Sequence, residues 1–409
     1  MKVLMMHRND GRLGGAQVQM HRLREGLRGR GVDARVLCRE VSGADAVPMP
    51  WMPSAERAVG WFTRRAGWND IHLLSSHRVA GLPAVREADV LDLHCLHSGT
   101  FSYLALPGLS AAKPVVFTVH DMWPFTGHCH ASLDCDRWKS GCGRCPYPET
   151  EPAVRRDGSA IEWRLKKRAY EASDLVWVAP SRWLAERMQE SMLGGRDVRV
   201  IPHGVDPTVF RPHDKTEARK NLGISPDATV LGCVIDRADR PLKGADLLRE
   251  TLGLLPAELR RNCVLLFAGH VGGFRFDGFP VPVVELGYLG DEGSKALAYS
   301  AADLLVNPSR AESFGLVVLE AMACGTPAAA FAVGGVAELI EPDATGWLAR
   351  PGNPRDLAAC VAAALADRDG LEKLSRACRE RILRDFTLER QVDSYVEVYR
   401  DARCRWSGA

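Results

Sequence analysis

Short runs that are apolar at almost every position alternate with helix-length periodic runs along this chain, and the alternation starts twice. In the first half, KVLMMH, ARVLCRE, DVLDLHCL, PVVFTVHD and DLVWVAPS read as strands, with helix patterns at Gln17 to Arg28 and at RWLAERM. After IPHGVD the order restarts: TVLGCVID, VLLFAGH, PVVELGYL, LLVNPS and AAAFAV are interleaved with GADLLRETLGLL, SKALAYSAA and GLVVLEAMA. A strand apolar on both faces belongs in a parallel sheet covered by helices on both sides. The chain is therefore expected to be α/β, with two doubly wound parallel-sheet domains facing across a cleft. All 409 residues are too many for one ordinary core. Periodicity lapses over 195–212, where Gly194, Gly195, Pro202, Gly204, Pro207 and Pro212 cluster. The expected boundaries are 1–200 and 201–385, followed by an amphipathic helix within 386–409 that begins FTLERQVDSYVEVYR.

In such sheets ligands bind beyond the carboxyl ends of the strands, so the residues just after each strand are the candidates. The stretch SRAESFGLVVLEAMACGTP, residues 309–327, carries Glu312 at a strand-to-helix crossover and Glu320 about two turns further on. The helix start offers unsatisfied N–H groups and a positive dipole end, which suit a phosphate or pyrophosphate. Two carboxylates separated by 320 − 312 = 8 positions can each accept hydrogen bonds from a different hydroxyl-bearing part of one ligand. Glu312 reads equally as an ordinary acidic residue near a helix start, and Glu320 as a solvated one. Val317, Val318, Leu319, Ala321 and Met322, however, leave Glu320 little solvent face. Arg237 and Lys243, in VIDRADRPLKG, follow the first strand of the second half and can neutralise a diphosphate without a metal, although a charged loop is also a common solvated feature.

The run E-S-F-G-L-V-V-L-E-A-M-A-C-G-T-P resembles the carboxylate signature of the retaining glycosyltransferases of family 4, whose two Rossmann-like domains define the GT-B architecture. Further parts of that family's pattern follow in order over essentially the whole chain. The resemblance implies an acceptor-side first domain and a nucleotide-sugar-binding second domain. Donor contacts would come from Gly14, Gly15, Arg237, Lys243, Glu312, Ser313, Phe314, Gly315, Leu316 and Glu320. His120, at the end of PVVFTVH, would meet the donor sugar near its anomeric centre, with His94 and His97 as decoys of similar setting. His203 and Gly204 would serve an interdomain hinge, and the terminal helix would cross back onto the first domain. The implied catalytic set is His120, Glu312, Arg237 and Lys243.

The implied reaction moves a sugar from a nucleotide-diphosphate donor, UDP- or GDP-linked, to an acceptor hydroxyl with retention of configuration. No carboxylate pair stands near His120 to act as a covalent nucleophile, so a same-face substitution is expected, with charge on the leaving group stabilised electrostatically and no catalytic metal. The acceptor would be a carbohydrate, a natural product or a lipid-linked sugar, in natural-product or polysaccharide and glycoconjugate biosynthesis. The rivals are a sugar-nucleotide epimerase or a phosphorylase on the same architecture, and a carbohydrate-binding protein that has lost catalysis.

HDMWPFTGHCHASLDCDRWKSGCGRCP departs from a minimal two-domain enzyme. Cys129, Cys135, Cys142 and Cys145 follow C-x5-C-x6-C-x2-C, which is not a standard zinc-ribbon spacing; they read as reduced thiols or a local disulfide, with a structural zinc site as the alternative. The Cys-rich insertion near 128–147 follows His120, so Trp123, Phe125, Trp138 and Tyr147 are candidates for stacking on sugar rings. Asp134-Cys135-Asp136, the single Asp-x-Asp match, lies inside it and is not read as catalytic.

The balance of 53 Lys plus Arg against 51 Asp plus Glu, a net +2, leaves no basic stripe for nucleic acid. The apolar run before His7 is too short for a signal peptide, and nothing approaches the roughly 20 residues of a membrane span. The 12 cysteines are then expected in a reducing cytoplasm. Trp51, Trp61, Phe62, Arg64, Arg65 and Trp68 form an aromatic and basic patch suited to peripheral contact with the inner membrane face, with a solvent-facing helix end as the plainer reading.

Overall fold

The computed structural model describes residues 1–11, 14–43 and 45–407. The chain divides into two compact units, Met1–Pro202 with Gln391–Ala409, and His203–Arg390.

The first unit is built on a seven-stranded sheet: β1 (Lys2–Met6), β2 (Asp33–Cys38), β3 (Ala46–Pro48), β4 (Val90–Leu93), β5 (Val115–Thr118), β6 (Val176–Ala179) and β7 (Val198–Val200). Their spatial order is β3-β2-β1-β4-β5-β6-β7, and every pair is parallel. The second unit has six strands: β8 (Thr229–Arg237), β9 (Cys263–His270), β10 (Val283–Glu285), β11 (Leu304–Asn307), β12 (Ala328–Phe331) and β13 (Gly346–Ala349). Their order, β10-β9-β8-β11-β12-β13, is also parallel throughout. In both sheets the order of strand addition reverses beside the first strand, between β1 and β4 and between β8 and β11, which opens a crevice at the carboxyl ends there.

Strands β4, β5, β6, β11 and β12 are buried at every residue, as expected of strands covered on both faces. Each unit closes its own core: Leu91, Phe117 and Trp177 in the first, Leu265, Val306, Leu319 and Phe331 in the second. The edge strands β3, β7 and β13 are short and carry no apolar run in the sequence reading. PVVELGYL forms only the three residues of β10 before it leaves the sheet.

Just after the seam, Val205 N–H bonds Phe386 O at 3.1 Å and Leu388 N–H bonds Val205 O at 2.9 Å. The helix Leu388–Ser407 begins there and from Gln391 belongs to the first unit. Among the described residues no helix is long and apolar enough to cross a membrane. Trp61 and Phe62 project to solvent from the helix Pro53–Arg65.

Candidate functional site

In the second unit, the loop that leaves β11 meets the turn that follows β8 at the switch point of the sheet. The register of β8 against β9 slips by one residue between Val234 and Arg237, a bulge that re-aims Arg237 as the strand ends. The chain then turns through Pro241–Lys243 to Gly244, whose φ of 70° lies in the left-handed region. A β-carbon at Gly244 would stand 2.0 Å from Pro308 O, so only glycine lets this turn press against the β11 loop. Arg310 fastens the contact: its N–H bonds Leu242 O at 2.8 Å, and its guanidinium grips Asp246 at 2.8 and 2.6 Å.

This junction brings Lys243 and Glu312 together. Lys243 Nζ lies 2.7 Å from Glu312 Oε1, which also accepts the Ser309 hydroxyl at 3.0 Å. Burial opposes the Lys243 charge, but Glu312 and then Asp236 outweigh it and hold the ammonium's pKa above its usual value. Arg237 is not part of this pair. Its half-exposed guanidinium forks onto Asp239 at 2.9 and 2.6 Å, and that hydrogen bonding is the main reason the Asp239 carboxyl falls to about 2. Arg240 pairs with Asp236 at 2.6 Å. The two cations that the sequence places side by side therefore hold separate carboxylates.

The helix Leu316–Ala323 starts at Gly315, in the left-handed region at φ 100°, where a β-carbon would meet Val336 Cγ2 at 2.7 Å. Ser313 and Leu316 flank that start half-buried, while Phe314 turns inward and packs edge-on against His203 and Phe386. Glu320 is buried on the helix, where its Oε2 accepts the Tyr299 hydroxyl at 2.9 Å. Glu312 and Glu320 thus have different surroundings, one in a polar loop and one in the core face.

In the first unit, Gly14, at φ 89°, precedes the helix Gly15–Gly29, and both glycines are exposed. His120 follows β5, and its Nε2 lies 2.8 Å from His94 Nδ1 with the two rings stacked. His94 is buried after β4 and reaches Asp92 through Nε2 at 3.1 Å. The sequence reading treats His94 as a decoy and does not mention Asp92; the available signal was an acidic residue inside the apolar run DVLDLHCL. His97 pairs instead with Asp121 at 3.0 Å. Burial would lower the His97 pKa, but Asp121 overrides it and holds it well above its ordinary value. Among the described residues, Cys95, His97 and Asp121 place one ligand-type atom each within 4.8 Å of one another, close enough to share a metal ion.

The segment after His120 is pinned from below by Lys166, which is fully buried and donates to Trp123 O at 2.7 Å and Thr126 O at 3.0 Å. Its ammonium also sits 3.6 Å from the Trp123 ring centroid. Burial, opposed by Glu162, brings the Lys166 pKa down to about 8. Trp123, Phe125 and Trp138 are buried in the core of this unit, which corrects the expectation that they stack on sugars. Tyr147 hydrogen-bonds Asp134.

Among the described residues, no three of Cys129, Cys135, Cys142 and Cys145 bring their sulfurs within 4.8 Å of one another, and none of the four is in a disulfide. Cys142 Sγ accepts Gly127 N–H at 3.1 Å and Cys145 Sγ lies 3.2 Å from His128 Nε2. Burial pushes Cys129 up to about 12 and Cys142 up to about 11.

Two doubly wound parallel sheets, with cationic and acidic side chains at the carboxyl ends of the second, define the GT-B class of two-Rossmann-domain proteins. Residues 13–209 match the family described as Glycosyltransferase Family 4, and residues 214–381 match Glycosyl transferases group 1. The D-inositol 3-phosphate glycosyltransferase of Thermobispora bispora is 36% identical over 328 residues, covering 77% of this chain and 71% of that protein. The chain belongs to the glycosyltransferases that these two family descriptions cover, family 4 and group 1. The enzyme of the same name from Saccharomonospora viridis is 37% identical over 228 residues, and there the match covers 52% of each chain, so this chain spans about half the length of that relative. Anabaena HepE, solved in complex with UDP-glucose, shares the fold at a TM-score of 0.71 and 18% identity, over 98% of this chain and 100% of that one.

Proposed function

We propose that this chain transfers a sugar from a nucleotide-diphosphate donor to an acceptor hydroxyl, with retention at the anomeric carbon and with side-chain cations in place of a metal. The observation that carries the reading is the Lys243–Glu312–Ser309 cluster at the switch point of the second sheet, beside a helix start. A departing diphosphate needs positive charge placed in advance, and Lys243, held against Glu312 in the loop that leads into the helix Leu316–Ala323, supplies it. In this account Lys243 exchanges Glu312 for the diphosphate when donor binds, and Glu312 is freed to accept hydroxyls of the sugar. Arg237, on its bulged strand end, adds a second cation for the same anion. Glu320 takes the ribose hydroxyls and His120 a hydroxyl of the transferred sugar. With no covalent nucleophile assigned, the acceptor attacks on the face the diphosphate leaves, and a diphosphate oxygen takes the acceptor's proton.

The HepE complex supports UDP as the nucleotide, and the names of the curated relatives support a phosphorylated polyol or sugar as acceptor. A thermal-shift panel of UDP, GDP, ADP and their sugar conjugates, run on wild type and Glu320→Ala, tests the donor assignment, because a ligand that binds only the folded state raises its melting temperature. Uridine compounds should stabilise the wild type and lose that effect in the variant. No stabilisation by any nucleotide would remove the donor from the account. The anomeric coupling constant of the product, read by NMR, decides retention: inversion would exclude the same-face step.

A further inference from the structure

The loop that leaves β4 and the segment that follows β5 meet at three side chains of different ligand type. Cys95, His97 and Asp121 offer a sulfur, a nitrogen and an oxygen, all within 4.8 Å of one another. His97 Nε2 already faces Asp121 Oδ2 at 3.0 Å. The other polar atom of each of these two side chains is engaged elsewhere: His97 Nδ1 lies 2.8 Å from the Ser98 hydroxyl, and Asp121 Oδ1 accepts the Trp123 N–H at 2.8 Å. Outer hydrogen bonds of this kind orient metal ligands, because they leave one atom of each ring or carboxylate aimed at the ion. The turn behind them is itself held. Ser98 has φ 59° and Gly99 φ 85°, a left-handed pair, and Gly99 N–H donates to Asp70 Oδ1 at 2.7 Å. The side chains of His97 and Asp121 are 17% and 19% exposed, sheltered enough to keep an ion in place and open enough to admit one.

We propose that Cys95, His97 and Asp121 bind one zinc ion, with Ser98 as a positioning residue behind His97. The ion cross-links the loop after β4 to the segment after β5 and leaves a fourth position to water. One thiolate, one imidazole and one carboxylate suit a borderline-soft dication, and the two anionic ligands cancel its charge. Zinc bonds of roughly 2.0–2.3 Å at tetrahedral angles set a nitrogen and an oxygen ligand about 3.4 Å apart, so the His97–Asp121 pair needs to open by only about 0.4 Å. Binding displaces the Cys95 thiol proton and the proton that His97 Nε2 donates to Asp121, while Nδ1–H stays on the Ser98 oxygen. This site is independent of the proposed function, in which Lys243 and Arg237 meet the diphosphate.

X-ray absorption at the zinc edge tests it on the full chain, stripped with a chelator and reloaded with one equivalent of zinc. One sulfur with nitrogen or oxygen neighbours is expected. A shell of three or four sulfurs would give the ion to Cys129, Cys135, Cys142 and Cys145 and overturn the proposal, as would failure to retain any zinc at micromolar free ion. Cobalt(II) supplies a second readout. Its thiolate charge-transfer band should appear in the wild type and vanish in Cys95→Ala with circular dichroism unchanged, and a band that persists in that variant would contradict ligation by Cys95. Ser98→Ala leaves every ligand atom in place and should weaken zinc binding about 10- to 100-fold; unchanged affinity would overturn the part given to Ser98.

Discussion

Replacing Gly244 with alanine tests whether the register between the β8 turn and the β11 loop sets the reactive geometry. The added β-carbon would lie 2.0 Å from Pro308 O, where real contacts stay beyond 3.0 Å, so the two segments must separate by at least 3.0 − 2.0 = 1.0 Å. Lys243 precedes this residue and Glu312 follows Pro308 by four positions, so their 2.7 Å contact is broken or redirected. The left-handed conformation at φ 70° adds about 1–2 kcal/mol for any non-glycine residue. Gly31→Ala is the control, because Gly31 has φ 75° and open space around its missing β-carbon. That control should lower the melting temperature by roughly 2–8 °C, at about 2–4 °C per kcal/mol for a domain of this size. Gly244→Ala should fall further and, below its melting point, lose about hundred-fold in turnover, the usual consequence of displacing a reacting group by about 1 Å. The assay pairs calorimetry with release of nucleotide diphosphate. Near-normal turnover in a folded Gly244→Ala protein would refute the claim that this junction positions Lys243.

Tyr299→Phe takes one donor from the buried carboxylate of Glu320 and should cost about 1–3 kcal/mol, visible as a lower melting temperature; an unchanged melting curve would mean the hydrogen bond contributes nothing. Burial, aided by repulsion from His94, His97 and His21, depresses His7 from about 6.5 to about 3. Between those values the unfolded chain binds a proton that the folded chain refuses, so stability falls as pH drops below about 6.5. His7→Phe should therefore show a shallower acid-side loss in melting temperature than wild type, and parallel curves would exclude His7 as a cause. With a thiol reagent at pH 8, exposed Cys404 should react first while Cys129 and Cys142 lag, because burial pushes their thiols up to about 12 and about 11; rapid labelling of Cys129 would contradict that burial.

What the residues reveal unaided follows from how local each signal is. Strands such as Val115–Thr118 and Ala328–Phe331 are buried on both faces and announce themselves as apolar runs, which is why the doubly wound class is legible. Ala46–Pro48 and Val198–Val200 lie at sheet edges, half-wet and three residues long, and leave no pattern to read. Glu312, Lys243 and Arg237 are visible because they interrupt apolar grammar just after strands. Their pairing is not, since Lys243 meets Glu312 across 69 positions while Arg237 takes the carboxylate two residues away. Asp92 joins Tyr399 across 307 positions, and a tyrosine on an amphipathic helix carries no mark of the carboxylate it serves. Trp123 and Trp138 mislead in the opposite sense: an aromatic beside a candidate ligand loop reads as a sugar platform, and burial settles it as core.

The most direct test of the account is to compare wild type and Lys243→Ala for two quantities with one uridine-diphosphate sugar: kcat for UDP release, and the UDP dissociation constant by calorimetry. If Lys243 stabilises charge that develops as the diphosphate departs, kcat should fall by about 10²–10³ while the dissociation constant weakens by no more than about tenfold. Equal losses in both would make Lys243 a simple binding residue, and unchanged turnover would contradict the assignment of this site to sugar transfer.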